Sequence, residues 1–285
     1  MTVNRDCHMN TNPNIRQPAV AGLFYPDKKS ELDREIAKYL ENAPEIDVPG
    51  NILGIIAPHA GYMYSGGVAA RAYRQILDYD IDVVVVISPS HREYFTEISV
   101  FNGSAYATPL GLIPVEKTLA KKLADTNPQI ILSEKGHRFE EHALEVQLPF
   151  LQKVLENFKL IPIVIGEHSK DNIETLSNGL RTILKGEKSL IVASSDLSHF
   201  YNASKAESMD KIVHEKVAAF DEEGLFSEIQ AGTCEMCGGG PVVSVMQACR
   251  LMGANNSQVL MYRHSGEITN DRSEVVGYLS AILYD

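Results

Sequence analysis

Short apolar runs that recur between stretches of helical periodicity constrain this chain more than any other feature. The runs are Ile52–Ala57, Val83–Ile87, Leu160–Ile165, Leu190–Ala193, Val259–Tyr262 and Val275–Leu283, most of them rich in Val and Ile. They lack the polar alternation of a half-exposed strand, so each reads as a strand buried on both faces. Helical patterns lie around them: Lys28–Asn42 with Leu32, Ile36 and Leu40 on one face, then Val68–Leu77, Glu116–Ala124, Glu140–Phe158, Asn172–Leu184, Lys205–Asp221 and Val242–Met252. Buried strands alternating with amphipathic helices predict an α/β fold, with a largely parallel or mixed central sheet flanked by helices on both faces. Phe95–Phe101 followed by Ala105–Leu112 reads as an antiparallel excursion. No linker, low-complexity tract or fixed-period repeat interrupts the pattern. Residues 1–285 are therefore read as a single domain, with 1–14 a loosely ordered leader.

Composition narrows the partners. The chain has 285 residues, 26 Lys+Arg and 37 Asp+Glu, a formal net charge of −11. Binding a phosphate backbone needs a basic face, so nucleic acid is excluded as the expected partner. Hydrophobic content of 44% with 22% charged residues is that of an ordinary globular protein. Cysteines stand at 7, 234, 237 and 249, too sparse and clustered for a secreted disulfide framework, which points to a reducing cytoplasm. No apolar run approaches the ~18 residues a membrane span requires. The polar stretch Met1–Asn14 lacks the apolar core of a signal peptide, so neither export nor a membrane is expected.

In open α/β sheets ligands bind beyond the carboxyl ends of the strands. Four of the runs are followed by a histidine: His59, His91, His168 and His199. A lone strand-end histidine is most often a hydrogen-bonded loop residue, but four at equivalent places favour a shared site. Pro58 directly precedes His59 and Pro89 lies two residues before His91, which ends each strand and stiffens delivery of the imidazole.

Cys234-Glu-Met-Cys237-Gly-Gly-Gly-Pro241 is the other concentrated signal. With no second C-x-x-C, a four-thiolate zinc site is not expected. A dithiol redox pair and a small buried cysteine beside a glycine turn both remain open. Pro241 suits the first turn of the helix predicted at Val242–Met252, which would put Cys237 just before a helix N-terminus, where the dipole favours a thiolate. Two imidazoles and one thiolate leave an open coordination position, the layout of a catalytic metal site. Such ligands suit copper, iron or zinc.

Ser194-Ser-Asp196-Leu-Ser-His199 pairs an acid and an imidazole fit for general acid/base work. Glu141 and Glu145 read as one face of a solvated helix start as readily as a site, whereas His142 between them would join the other histidines if that helix points at them. No G-x-S-x-G, P-loop or G-x-G-x-x-G occurs, so serine hydrolase, NTPase and Rossmann dinucleotide readings lack their anchoring motifs.

Six ordered motifs together resemble the Memo family, whose prokaryotic members belong to the AmmeMemoRadiSam set. They are Pro18-Ala-Val-Ala-Gly22 with Phe24-Tyr-Pro26, Ala57-Pro-His-Ala-Gly-Tyr62 with Tyr64-Ser-Gly66, Pro89-Ser-His91, Glu141-His142 with Gln147-Leu-Pro149, Ser195-Asp196 with His199, and Cys237-Gly238 with Pro241. The resemblance implies one α/β domain similar to the LigB-type class III extradiol dioxygenases. It implies one transition-metal ion, iron or copper favoured over zinc, at His59, His91 and Cys237. Asp196, His199 and His142 would line the same pocket as catalytic residues. Extradiol dioxygenases carry a carboxylate where Cys237 stands, so ring cleavage does not carry over with the fold. The ligand of the pocket would be a small molecule or a peptide, since eukaryotic Memo is described as a binder of phosphorylated receptor peptides.

Overall fold

The computed structural model describes residues 15–138 and 140–285; the leader and Cys7 lie outside the described residues. Twelve strands are described: β1 Ile15–Arg16, β2 Ile52–Ala57, β3 Val83–Pro89, β4 Ile98–Phe101, β5 Ala105–Thr108, β6 Gly111–Pro114, β7 Ile130–Ser133, β8 Lys159–Ile165, β9 Ser189–Ser194, β10 His199–Tyr201, β11 Asn256–His264 and β12 Val275–Tyr284. The helices are α1 Lys29–Glu41, α2 Tyr62–Arg74, α3 Lys117–Ala124, α4 Leu148–Val154, α5 Lys170–Ile183, α6 Ala203–Ala218, α7 Glu222–Ala231, α8 Gly239–Leu251 and the single turn α9 Gly266–Thr269.

A mixed nine-stranded sheet runs in the order β10-β12-β2-β9-β3-β8-β4-β7, with β11 paired to β12. Its centre, β2-β9-β3-β8, is parallel throughout. The carboxyl ends of those four strands therefore share one edge. β12 runs antiparallel to β2 and β4 antiparallel to β8. The expected antiparallel excursion is divided between two sheets, because β5 pairs with β6 and β1 in a separate three-stranded sheet.

Every residue of β3 is buried, which explains its uninterrupted apolar sequence. Val83, Val85 and Ile87 pack into one apolar layer with α3, α5, α7 and α8, while Val84 and Val86 pack into the other with α1, α2 and α4. Leu32, Ile36 and Leu40 are the buried face of α1, as their spacing predicts. Gly54 lets β2 approach α8: a Cβ there would lie 2.6 Å from Cys249 Sγ.

One helical reading needs correction. Glu140–Phe158 is not one helix. Glu140 sits at φ +61°, residues 141–144 form a loop, Glu145–Gln147 make one 3₁₀ turn, and α4 ends at Val154. Glu141 and Glu145 are both buried, not a solvated helix start. The Glu141 carboxylate accepts the His142 and Ala143 N–H groups, which removes those donors from any helical ladder. The helix expected at Lys205–Asp221 is present as α6, which stops at Ala218 where Phe220 takes φ +54°; α7 follows it, capped by Asp221 through Gly224 N–H, and has no counterpart among the helical patterns of the sequence.

Candidate metal centre

β9 lies between β2 and β3, so its carboxyl end is flanked by theirs. His59 follows β2 by two residues, His91 follows β3 by two, and Ser194 and Asp196 end and follow β9. Cys237 immediately precedes Gly238, the N-cap of α8. The helix start is pinned to β9, because Gly238 N–H donates to Ser195 Oγ at 2.9 Å. A Cβ at position 238 would lie 2.3 Å from the Ser194 carbonyl oxygen, so this approach requires glycine. Pro241 falls in the first turn of α8, as the sequence predicts.

The donor atoms of His59, His91 and Cys237 all lie within 4.8 Å of one another. Cys237 Sγ is 3.1 Å from His59 Nε2, and the His59 and His91 rings are 5.2 Å apart. Each ligand-capable side chain has a second partner. His59 Nδ1 contacts Ser194 Oγ at 2.9 Å, and its backbone N–H donates to Asp196 Oδ1 at 2.8 Å. His91 Nδ1 donates to Glu141 Oε1 at 3.0 Å and its N–H to Glu141 Oε2 at 2.5 Å. A carboxylate only accepts, so Nδ1 carries a His91 proton, and the neutral imidazole has its lone pair on Nε2. Cys237 Sγ accepts the Asp196 N–H at 3.3 Å.

Burial sets the electrostatics. It drives the His59 imidazole well below its usual value, with His91 adding to the effect. Burial would raise Glu141, but the hydrogen bonds from His91 and the loop N–H groups overcome it and hold the carboxyl at about 2. Burial and then Asp196 push the Cys237 thiol far up, against the Asp196 N–H, Ser195 and Gly238. In the metal-free protein the helix N-terminus therefore does not make Cys237 a low-pKa thiolate, as its position alone suggests. A cation beside the sulfur would reverse that balance.

The remaining predicted residues gather here as well. His142 stacks on His91 at 4.9 Å and meets His59 edge-on at 5.4 Å, with Phe24 against it at 4.7 Å. Burial and then His59 push His142 down to about 4. His91, Glu141 and His142 form a second group with metal-ligand spacing. Burial raises the Asp196 carboxyl, against the His59 N–H and the His199 and His142 imidazoles. His199 N–H donates to Glu235 Oε1 at 2.9 Å. His168 accepts Gly240 N–H at 3.4 Å, so the fourth strand-end histidine packs on the start of α8.

Cys234 is buried in the apolar core, and the three cysteines among the described residues are all free. Burial, then Glu228, pushes the Cys234 thiol to about 11. Sequence reasoning gave no role to Gln147, Ser194 or Arg16, and left Glu145 open between a solvated helix start and a site. Arg16 Nη1 pairs with buried Glu145, and Arg16 also donates to the His137 and Glu141 carbonyls, tying β1 to the loop that carries Glu141 and His142. Motif membership of Gln147 and Ser194 was the available signal; Arg16 offered none.

A family model described as Memo-like protein matches residues 16–282. The chain belongs to the Memo family. A family member from Methanobrevibacter smithii is 37% identical over 94% of this chain and 99% of its own, and one from Nitrosopumilus maritimus is 36% identical over 93% and 98%. The one from Aquifex aeolicus is 36% identical over 94% and 98%. The fold is similar to that of an uncharacterized Escherichia coli K12 protein, with TM-score 0.51 at 13% identity, covering 81% of this chain and 99% of that one. No helix among the described residues is long and apolar enough to cross a membrane.

Proposed function

We propose that this Memo-family protein holds one transition-metal ion, iron or copper in preference to zinc, through His59, His91 and Cys237, and uses it in redox or oxidative chemistry on a small molecule or peptide. The observation that carries the reading is the convergence of two imidazoles and a thiol within 4.8 Å, each braced by a further partner. Mixed imidazole and thiolate donors fit soft to borderline metals. Three protein donors leave room for substrate or oxygen, where a bound redox metal supplies one-electron chemistry.

The chain's own residues do the rest. His142 is neutral at pH 7 and takes a proton at the imidazole nitrogen not facing Glu141. Asp196 holds the His59 backbone through Oδ1 and, with His199, offers a second proton-handling pair. The reading includes a cytoplasmic setting, where Cys237 stays reduced.

Elemental analysis of protein purified without added metal, against the His59→Ala/His91→Ala/Cys237→Ala variant, is the test. Near-stoichiometric metal lost in the variant is expected; equal content in both overturns the reading.

A second reading is a catalytically silent pocket that binds a peptide or protein partner. It is supported by large apolar side chains exposed beside the site-bearing segments, Leu23 next to Phe24, Met63 four residues from His59, Tyr94 near His91, and Phe200 next to His199. Metal-dependent oxygen consumption that disappears in the triple variant would exclude it.

A further inference from the structure

We infer that Ser194 is the positioning residue that fixes His59 as its Nδ1–H tautomer and so leaves the Nε2 lone pair directed at Cys237. Three hydrogen bonds meet at Ser194 Oγ: 2.9 Å to His59 Nδ1, 2.7 Å to Gln147 Nε2 and 2.6 Å to the Ala143 carbonyl oxygen. A hydroxyl has one hydrogen and two acceptor lone pairs. A carbonyl oxygen cannot donate, so the hydroxyl hydrogen belongs to the bond to Ala143. Toward both other partners Ser194 only accepts, and His59 must supply the hydrogen from Nδ1.

The orientation of Gln147 depends on a second carbonyl. Its Nε2 lies 2.9 Å from the Pro58 oxygen, which again only accepts, and its Oε1 receives the Tyr73 hydroxyl at 2.8 Å. Turning the amide over would set two oxygens against each other at Pro58. Tyr73 therefore donates to Gln147, and Gln147 and His59 donate to Ser194, which donates to Ala143. Tyr73, Gln147, Ser194 and His59 are all buried, so water does not substitute for any member. The chain spans α2, the 3₁₀ turn, β9 and the β2 end, and its last acceptor is His59 Nε2, 3.1 Å from its partner Cys237 Sγ.

The tautomer assignment stands on the protein alone. Its consequence for metal affinity rests on the metal-site reading above, and the experiment separates the two. In metal-free protein, two-bond ¹H–¹⁵N correlation of the imidazoles, with His59 assigned against His59→Asn, is expected to show a protonated Nδ1 and an unprotonated Nε2. An Nε2–H tautomer, or a mixture, in the wild type overturns the inference whether or not any variant folds. Ser194→Ala is expected to give mixed tautomers and to bind Cu(I), Fe(II) or Zn(II), each titrated alone, about 10- to 100-fold more weakly. Ser194→Thr, which keeps the hydroxyl, is expected to restore both. An unchanged tautomer in Ser194→Ala, or a folded Ser194→Thr that behaves like Ser194→Ala, also overturns it. Metal binding unaffected by loss of His59, His91 and Cys237 would defeat the metal-site reading and leave the tautomer result standing.

Discussion

At the residue scale, the candidate centre depends on side chains that complete others. Glu141 accepts four hydrogen bonds and holds His91 by ring and backbone. Glu141→Gln keeps the shape but provides one accepting oxygen in place of two. It is expected to cost about 1–3 kcal/mol by urea unfolding and to lower metal content, and unchanged values in both would show that the carboxylate is not needed. Buried neutral histidines make acid stability a second readout. Burial pushes His137 to about 3 and His168 to about 4, below the ordinary 6.5. The unfolded chain takes up those protons first, so their contribution is complete above pH 6.5 and is lost as pH falls toward 4 and 3. Glu141, depressed to about 2, adds a loss that begins below about 4.5. The urea midpoint should fall steadily from pH 7 to 4, each histidine contributing up to about 3 kcal/mol. A flat profile over that range would contradict the burial argument, and His168→Gln should reduce the slope.

At the element scale, strand ends and one helix start have to meet. Placing β9 between β2 and β3 puts Ser194 and Asp196 between His59 and His91, and Gly238 allows α8 to close on them. Gly238→Ala is expected to destabilise by roughly 1–3 kcal/mol through overpacking and to shift Cys237 from its partners. The measurement is paired, a denaturation midpoint and a metal titration, and a fall in stability with full metal affinity would detach α8 from the site. The loop before α4 depends on a buried ion pair. Arg16→Met leaves Glu145 charged and uncompensated, with an expected cost of about 3–5 kcal/mol. A loss under 1 kcal/mol in urea would show that the Tyr25 and backbone bonds to Glu145 suffice.

At the scale of the molecule, one sheet draws strands from Ile52 to Tyr284, and the proposed ligands lie on both sides of much of that span. We propose that the chain unfolds as one unit. Calorimetry should give one transition, and saturating metal at about 100 times its Kd should stabilise the native state by about 2.7 kcal/mol. Two separated transitions, only one shifted by metal, would show that the halves are independent.

The sequence by itself determined the fold class, because β-branched runs without polar alternation are stable only with both faces covered, and α1 and β3 follow their patterns residue by residue. It also determined the chemistry on offer, since imidazoles and a glycine-flanked cysteine stand where strands and a helix must end. Only the tertiary structure decided which of these meet. Order in the sheet is set by long-range pairing that local spacing does not encode, so β9 could not be placed between β2 and β3 in advance. The Glu140–Leu144 loop reads as helix by period, but a buried carboxylate takes up its N–H groups. The directed chain through Gln147 and Ser194 depends on two carbonyl oxygens, Pro58 and Ala143, and backbone groups are the same at every position until folding orients them.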